Sequence, residues 1–553
     1  MASSSISGSR DPYHVIAARK QEARSKLIPK EWLIPETKLH EYTSSPTANV
    51  LHVPAKSGLL SSRELEITEN YDAVGLLEML RKGPADGGYS VTEVVTAFCK
   101  RAAIAQQLTN CLTEIMFESA LQRAKKLDDD CSANPTQTFP PLWGLPISLK
   151  DSFNIPGFDA TIGLVHFAEK PCSEYSALPK LFLDLGAVFY CKTNVPQTMM
   201  TADSDNNIFG RTMNPHNRSL TAGGSSGGEG ALIAMRGSIV GIGTDIAGSI
   251  RIPSHCCGIY GFKPSANIVP YAGQQSPAAA GLPGIQPVAG PMATSLRSCE
   301  LIMRTIMSNQ PWKVDVECLH IPWRGLQAPN GGKLRIGVIE DDGLFTPTPP
   351  MRRALAEAKT KLQKAGMEIV AIKLPNVARD IGIIWASFSL EGSKTVLEYI
   401  SSANEPFVES VKRVGLVSMP PKSLQDLFAW NVARREAATA YKDLWLENNL
   451  DAILNTLAPH TAPPLDTWPG ITQALWNLVD YPSCIIPTGK VGPGDVTDNA
   501  AKYGPDDEKV YAMYTGPDNY QGAPTTLQLV GMRQEDENLV AMAGIVDKIL
   551  NNS

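Results

Sequence analysis

The sequence predicts an α/β protein with a largely buried sheet, and three stretches carry that expectation. Leu142–Leu149 is a short apolar run that ends in Lys150-Asp151, as a buried strand running into a loop would. Leu181–Leu185, Gly186 and Ala187–Cys191 read as helix, C-cap and strand. The same unit returns later, with a strand over Leu334–Glu340, a helix over Met351–Ala365 closed by Gly366, and a strand over Glu368–Ile372. Alternation of this kind points to helices packed on a sheet.

Along the chain, the first ~65 residues mix Pro, Lys, Ser and isolated apolar residues, and are expected to form an arm that wraps the body and ends in a disordered tip. The division expected is an N-terminal arm over 1–70 and one large domain over 71–553. Helical patterning starts at Tyr71–Arg81 and resumes at Ser90-Val-Thr-Glu93, which has capping-box spacing ahead of Val94, Val95 and Phe98. A further helix is predicted from Leu112 to Asp128, with Ile115, Met116, Ala120, Leu121 and Ala124 on one side. Residues 266–295, rich in Gly, Pro, Ala and Gln, read as irregular surface connection. Residues 489–520 read as a second polar loop.

Bulk properties narrow the function classes. With 553 residues and 43% hydrophobic content a sizeable core can form, and a net charge of -6 supplies no basic field for nucleic acid. The ten cysteines are scattered without a CxxC pair, and no apolar stretch approaches the roughly 18 residues of a membrane span. The start, MASSSISGSRDPYH, lacks the apolar run of a secretory leader. A soluble cytoplasmic protein with free thiols is expected. The eight histidines lie far apart with no HExxH spacing, so no metal site is expected.

Chemistry concentrates in Thr221–Ser265, TAGGSSGGEGALIAMRGSIVGIGTDIAGSIRIPSHCCGIYGFKPS, where glycines are dense and serines sit in both halves. Such density implies tight backbone geometry. Ala231–Met235 between the halves is an apolar helical patch. Gly223–Gly227 and Gly224–Gly228 both fit G-x-S-x-G, but a nucleophile elbow needs a strand before it, and Met213–Leu220 makes a poor one. A Walker loop needs GKS or GKT, which is missing. His255 inside the segment is better read as packed or hydrogen-bonded than as a base. A serine still requires a base, and a lysine serves when burial lowers its pKa. Lys150 is the candidate. Read from composition alone, a surface lysine at a strand end is the plainer alternative.

GGSSGGEGALIA, GIGTDIAGSIRIPS and GIYGFKPS together resemble the signature segment of the amidase signature family. The resemblance extends to PISLKDSFNIPG at 146–157, KTNVPQTMM at 192–200, NIFGRTMNPHN at 207–217, DYPSCIIPTG at 480–489 and GAPTTLQLVG at 522–531. Within that family the chain looks most like the fungal acetamidase-like members, and like the catalytic part of fatty acid amide hydrolase.

The resemblance implies a large, twisted mixed sheet covered by helices, a Ser-Ser-Lys triad and no cofactor. Carried over by position, Ser249 is the expected nucleophile, Ser225 the bridging serine that follows a cis peptide, and Lys150 the base. The N–H groups of Ile246, Ala247, Gly248 and Ser249 are expected to form the oxyanion hole. Ser226 is the expected hydrogen-bond partner of the lysine, and Asp245 and Arg251 brace the loop. Ala247 stands where the family usually has Gly, which narrows backbone freedom but keeps the N–H. Met199, Met200 and Asp203 fall near the family's acyl pocket, and Trp476 with Leu475 are further candidates for it; ordinary core is the alternative for Met199 and Trp476. The expected substrates are small aliphatic or aryl primary amides. An esterase or carbamate hydrolase on the same triad, a fatty acid amide hydrolase, and an amide-transfer subunit stay open as alternatives. The expected partners are a small-molecule amide and, at most, a second copy of the chain.

Overall fold

A computed structural model of the chain describes residues 11–134, 138–325 and 328–551. Its framework is a mixed sheet of eleven strands among the described residues. In chain order these are β1 (Leu112–Ile115), β2 (Pro146–Lys150), β3 (Val188–Thr193), β4 (Val240–Asp245), β5 (Tyr260–Lys263) and β6 (Val288–Ala293). They continue with β7 (Arg335–Ile339), β8 (Glu368–Ala371), β9 (Ala452–Asn455), β10 (Ser483–Lys490) and β11 (Pro524–Val530). The spatial order is β1-β3-β2-β4-β6-β5-β10-β11-β9-β7-β8. β2 runs parallel to both β3 and β4, and β7 parallel to β8 and β9, while β4 to β6 and β10 to β11 are antiparallel. β2, β3, β4, β6 and β11 are buried along their whole length, their polar residues as well as their apolar ones.

Local signals set several elements. Ser90 caps the helix Val91–Thr109 with both halves of the capping box formed. The helix Ala177–Asp184 leads through Gly186 at φ +94 into β3, and Pro349–Lys364 leads through Gly366 into β8. Three expectations need correction. The helix predicted from Leu112 begins only at Phe117 and runs to Ala133, because Leu112–Ile115 is buried on both faces and pairs antiparallel with β3. Residues 266–295 are not all surface connection, since β6 lies between β4 and β5 in mid-sheet; Gly290 and Pro291 disguise it, being poor strand formers held in register opposite Gly243 and Ile242 of β4. Within 489–520, the last two residues of β10 and a helix over Pro505–Tyr511 replace part of the expected loop.

Residues 13–69 contain helices that touch the main body at specific points. Lys20 bonds Glu114 and Asp159, Arg24 donates to the Leu112 carbonyl, and Trp32 lies in the main apolar core. The expected tip falls largely on residues 1–10, outside the described residues. Among the described residues no helix is long and apolar enough to cross a membrane.

Candidate active site

The site forms where the C-terminal ends of the parallel neighbours β2 and β4 face the turn before the helix Gly227–Ala234. β2 delivers Lys150 into the interior with no solvent exposure. Its Nζ lies 2.7 Å from Ser225 Oγ and 2.7 Å from Thr244 Oγ1. Burial pulls the amine down to about 7, against an opposing pull from Asp245, Glu229 and Asp151. A substantial neutral fraction near neutral pH follows, and with it the capacity to accept a proton. The Gly224–Ser225 peptide is cis.

Ser226 does not bond the lysine. Its hydroxyl lies 3.4 Å from both the carbonyl and the N–H of Thr244, so it supports the residue that holds Lys150. Thr244 is the second hydroxyl partner that sequence reasoning missed. Ser226 also reaches across to the candidate nucleophile, its N–H donating to the Ser249 carbonyl at 3.2 Å. The side-chain hydrogen bonds run from Lys150 to Ser225, and no bond among the described residues joins Ser225 Oγ to Ser249 Oγ.

Ser249 sits in the loop after β4. Asp245 organises that loop by accepting hydrogen bonds from the N–H groups of Gly248 at 2.8 Å and Ile250 at 3.1 Å. The Arg251 guanidinium bonds the same carboxylate at 3.0 and 3.1 Å. Burial alone would raise the Asp245 carboxyl, but Arg251 holds it well below the usual carboxylate range. One expectation about the loop changes here. The Gly248 N–H, expected in the oxyanion hole, is engaged by Asp245, whereas those of Ile246, Ala247 and Ser249 find no acceptor among the described residues. Gly248 itself is required at φ +116, where a Cβ would fall 2.7 Å from Gln473 Cγ.

A cavity of about 240 Å³ opens onto Ser249. Met199, Met200, Ile246 and Ala247 line it, with Trp385, Phe388 and Trp468. It adjoins a second cavity of about 530 Å³, and the two share Met200, Thr201, Ile246, Phe388, Val414 and Leu416. Asp203 also lines the first cavity, yet its carboxylate is engaged by Arg211 at 3.4 Å and by the Asp466 N–H at 2.6 Å. Burial raises that carboxyl to about 6.

Trp476 is absent from either wall. It stacks on Tyr481 and meets Tyr441 edge-on in a separate apolar cluster, which also explains its burial. Leu475 likewise packs into an apolar cluster, with Ala474 and Leu478. The residues of this turn that face the site are Gln473 and Asn477. Gln473 Nε2 donates to the Ala247 carbonyl at 3.0 Å, and Asn477 Nδ2 donates to Asp245 Oδ1 at 2.9 Å. Their i, i+4 spacing inside an apolar run was the signal available for finding them. His255 is buried, bonding Thr526 Oγ1 and the His460 carbonyl at 2.7 Å each, and burial drops it to about 4.

A family model described as Amidase matches residues 93–540. A protein named Amidase from Gibberella moniliformis is 38% identical over 544 residues, covering 96% of this chain and 98% of its own length. The Acetamidase of Emericella nidulans is 34% identical over 554 residues, covering 97% and 98%. Among solved structures, one of a fatty acid amide hydrolase superposes with a TM-score of 0.92 at 31% identity, covering 97% of this chain and 95% of that one. The extent of these matches shows that this chain belongs to the amidase family and is a hydrolase of the amidase signature type.

Proposed function

We propose that the chain hydrolyses carboxylic amides by acyl transfer to Ser249, with neutral Lys150 as the base and Ser225 as the bridge between them. The observation that carries this reading is the fully buried Lys150 amine 2.7 Å from Ser225 Oγ, poised near neutral pH. Ser249 Oγ attacks the amide carbonyl while its proton moves to Ser225 Oγ and the Ser225 proton to Lys150 Nζ. The contact from Ser225 to Ser249 closes as substrate binds, as catalytic hydrogen bonds commonly do. The N–H groups of Ile246, Ala247 and Ser249 hold the oxyanion, each worth about 3–4 kcal/mol if lost. The proton returns along the same route to the leaving nitrogen, which departs as ammonia or an amine. Water then enters by the same path and releases the carboxylate.

Small aliphatic or aryl primary amides are the substrates we favour. The aromatic residues around the 240 Å³ cavity support an aryl or short aliphatic acyl group, as does the relative named Acetamidase. The adjoining 530 Å³ cavity favours a second reading, in which longer apolar acyl groups are also accepted; the neighbour named Fatty acid amide hydrolase is consistent with it. Fluorophosphonate labelling followed by peptide mapping tests the nucleophile, with the modification expected on Ser249 and lost in Ser249→Ala. Labelling elsewhere, or unaltered turnover in Lys150→Ala, overturns the mechanism. Turnover of acetamide, benzamide, a long-chain amide, a p-nitrophenyl ester and ethyl carbamate then ranks the substrate classes.

A further inference from the structure

A second ionisable side chain is sealed into the sheet beside Lys150. Glu229, in the first turn of the helix Gly227–Ala234, has no solvent exposure. Its Oε2 accepts a hydrogen bond from Ser148 Oγ at 2.6 Å, and its Oε1 accepts one from Thr193 Oγ1 at 2.9 Å. These two hydroxyls fix the carboxyl relative to the lysine. Ser148 lies two residues before Lys150 on β2, so strand alternation directs both to the same face. Thr193 is the register partner of Lys150 across the parallel β2–β3 pair. The carboxyl is thus held between a neighbour of Lys150 on its own strand and the residue opposite Lys150 on the next.

A third strand makes room for it. Gly241 on β4 is the register partner of Ser148, and a Cβ there would fall 2.0 Å from Glu229 Oε2 and 2.4 Å from Ser148 Oγ. Only glycine leaves space for this carboxyl.

We propose that Glu229 is a positioning residue for the proton, its buried carboxyl setting how strongly Lys150 holds its charge. The proposal rests on the reading of Lys150 as the base. A sealed lysine with no counter-charge becomes too weak a base to take a proton from a hydroxyl, and a nearby anion restores its basicity. The other anions near Lys150 have cations of their own. Asp151 lies 3.8 Å from Lys192, and Asp245 is paired with Arg251 and feels Lys263. Among the described residues Glu229 has no salt-bridge cation, its direct partners being neutral hydroxyls. The remaining titratable neighbours are Cys111, Cys191 and Tyr190 near Glu229, and Tyr271 beside Thr244. Burial pushes all four upward, so they stay protonated around neutral pH. Burial also raises Glu229 to about 7 and lowers Lys150 to about 7, so the two titrate in one range as a coupled pair.

The test is Glu229→Gln, which keeps the shape and a hydroxyl-bonding head group but removes the charge. kcat/KM for a small amide and the rate of fluorophosphonate labelling of Ser249 are both followed from pH 5 to 10. The expected result is an acid limb displaced to lower pH by about one unit, with a lower plateau and little change in KM. A folded variant with limb and plateau unchanged overturns the proposal, as does a variant slowed equally at every pH with its limb in place. If circular dichroism finds Glu229→Gln unfolded, Thr193→Val removes one hydrogen bond that favours the ionised carboxyl. The limb is then expected to move in the same direction, and an unmoved limb overturns the proposal. Lys150→Ala separates the two levels of argument. If that variant is inactive and the Glu229→Gln limb is unmoved, this inference alone fails; if it retains full turnover, the reading of Lys150 as base fails first.

Discussion

Arg251 and Asp245 form a fully buried ion pair, with Nε 3.0 Å from Oδ2, that ties the Ser249 loop to the turn after Ile471. The guanidinium donates onward to the Gln473 carbonyl at 2.8 Å and to Gln528 Oε1 at 3.0 Å. Removing the arginine leaves the buried carboxylate without the cation that bonds it directly. Arg251→Met is expected to cost about 3–5 kcal/mol of stability. A marked fall in Tm, read by thermal unfolding at fixed pH, checks this, and a Tm within a degree of the parent would show that the pair does not brace the fold.

Activity should depend on the neutral form of Lys150. Because burial holds the amine at about 7, kcat/KM is expected to fall below pH 7 as the amine charges, approaching tenfold per pH unit, and to level off above it. Initial rates from pH 5 to 9 provide the check. A profile flat to pH 5 would mean that no group of this kind gates the reaction.

Gln473 is expected to steady the oxyanion loop through its 3.0 Å bond to the Ala247 carbonyl. Gln473→Leu keeps the bulk and loses that bond. A drop in kcat of about fivefold with KM little altered is the expected outcome, since one hydrogen bond contributes about 1 kcal/mol. Steady-state kinetics on one amide decides it, and a change confined to KM would make Gln473 a simple wall residue.

Ala247 places a methyl on the cavity wall where the resemblance leads one to expect glycine. Ala247→Gly should retain turnover and shift preference toward bulkier acyl groups, by on the order of tenfold in the ratio of kcat/KM values. Paired rates on benzamide and acetamide measure that ratio, and an unchanged ratio would remove Ala247 from the determinants of acyl size.

β2, β3, β7 and β8 could be read in advance because they are short apolar runs, and because Gly186 and Gly366 end helices just before β3 and β8. Leu112–Ile115 misled because four buried residues that follow a helix carry no period of their own. β6 was hidden by Gly290 and Pro291, whose local preferences give way to pairing with β4. At the site, Trp476 and Leu475 precede the DYPSC motif, but a short helical turn directs neighbours to different faces. Gln473 and Asn477 face the loop, and Trp476 enters the aromatic core.

By itself the sequence determined which residue types were available for chemistry: a lysine ending an apolar strand, two serines in a glycine-dense turn and a third in Ala-Gly-Ser-Ile-Arg. It also determined the class of fold that holds them. Only the tertiary structure decided that the lysine is sealed from water, that Thr244 rather than Ser226 shares it with Ser225, and that Gly248 turns its N–H toward Asp245. Basicity depends on desolvation and on charges from distant parts of the chain, and hydrogen-bond direction depends on how separate elements are brought together. Neither property belongs to a residue until the sheet has closed around it.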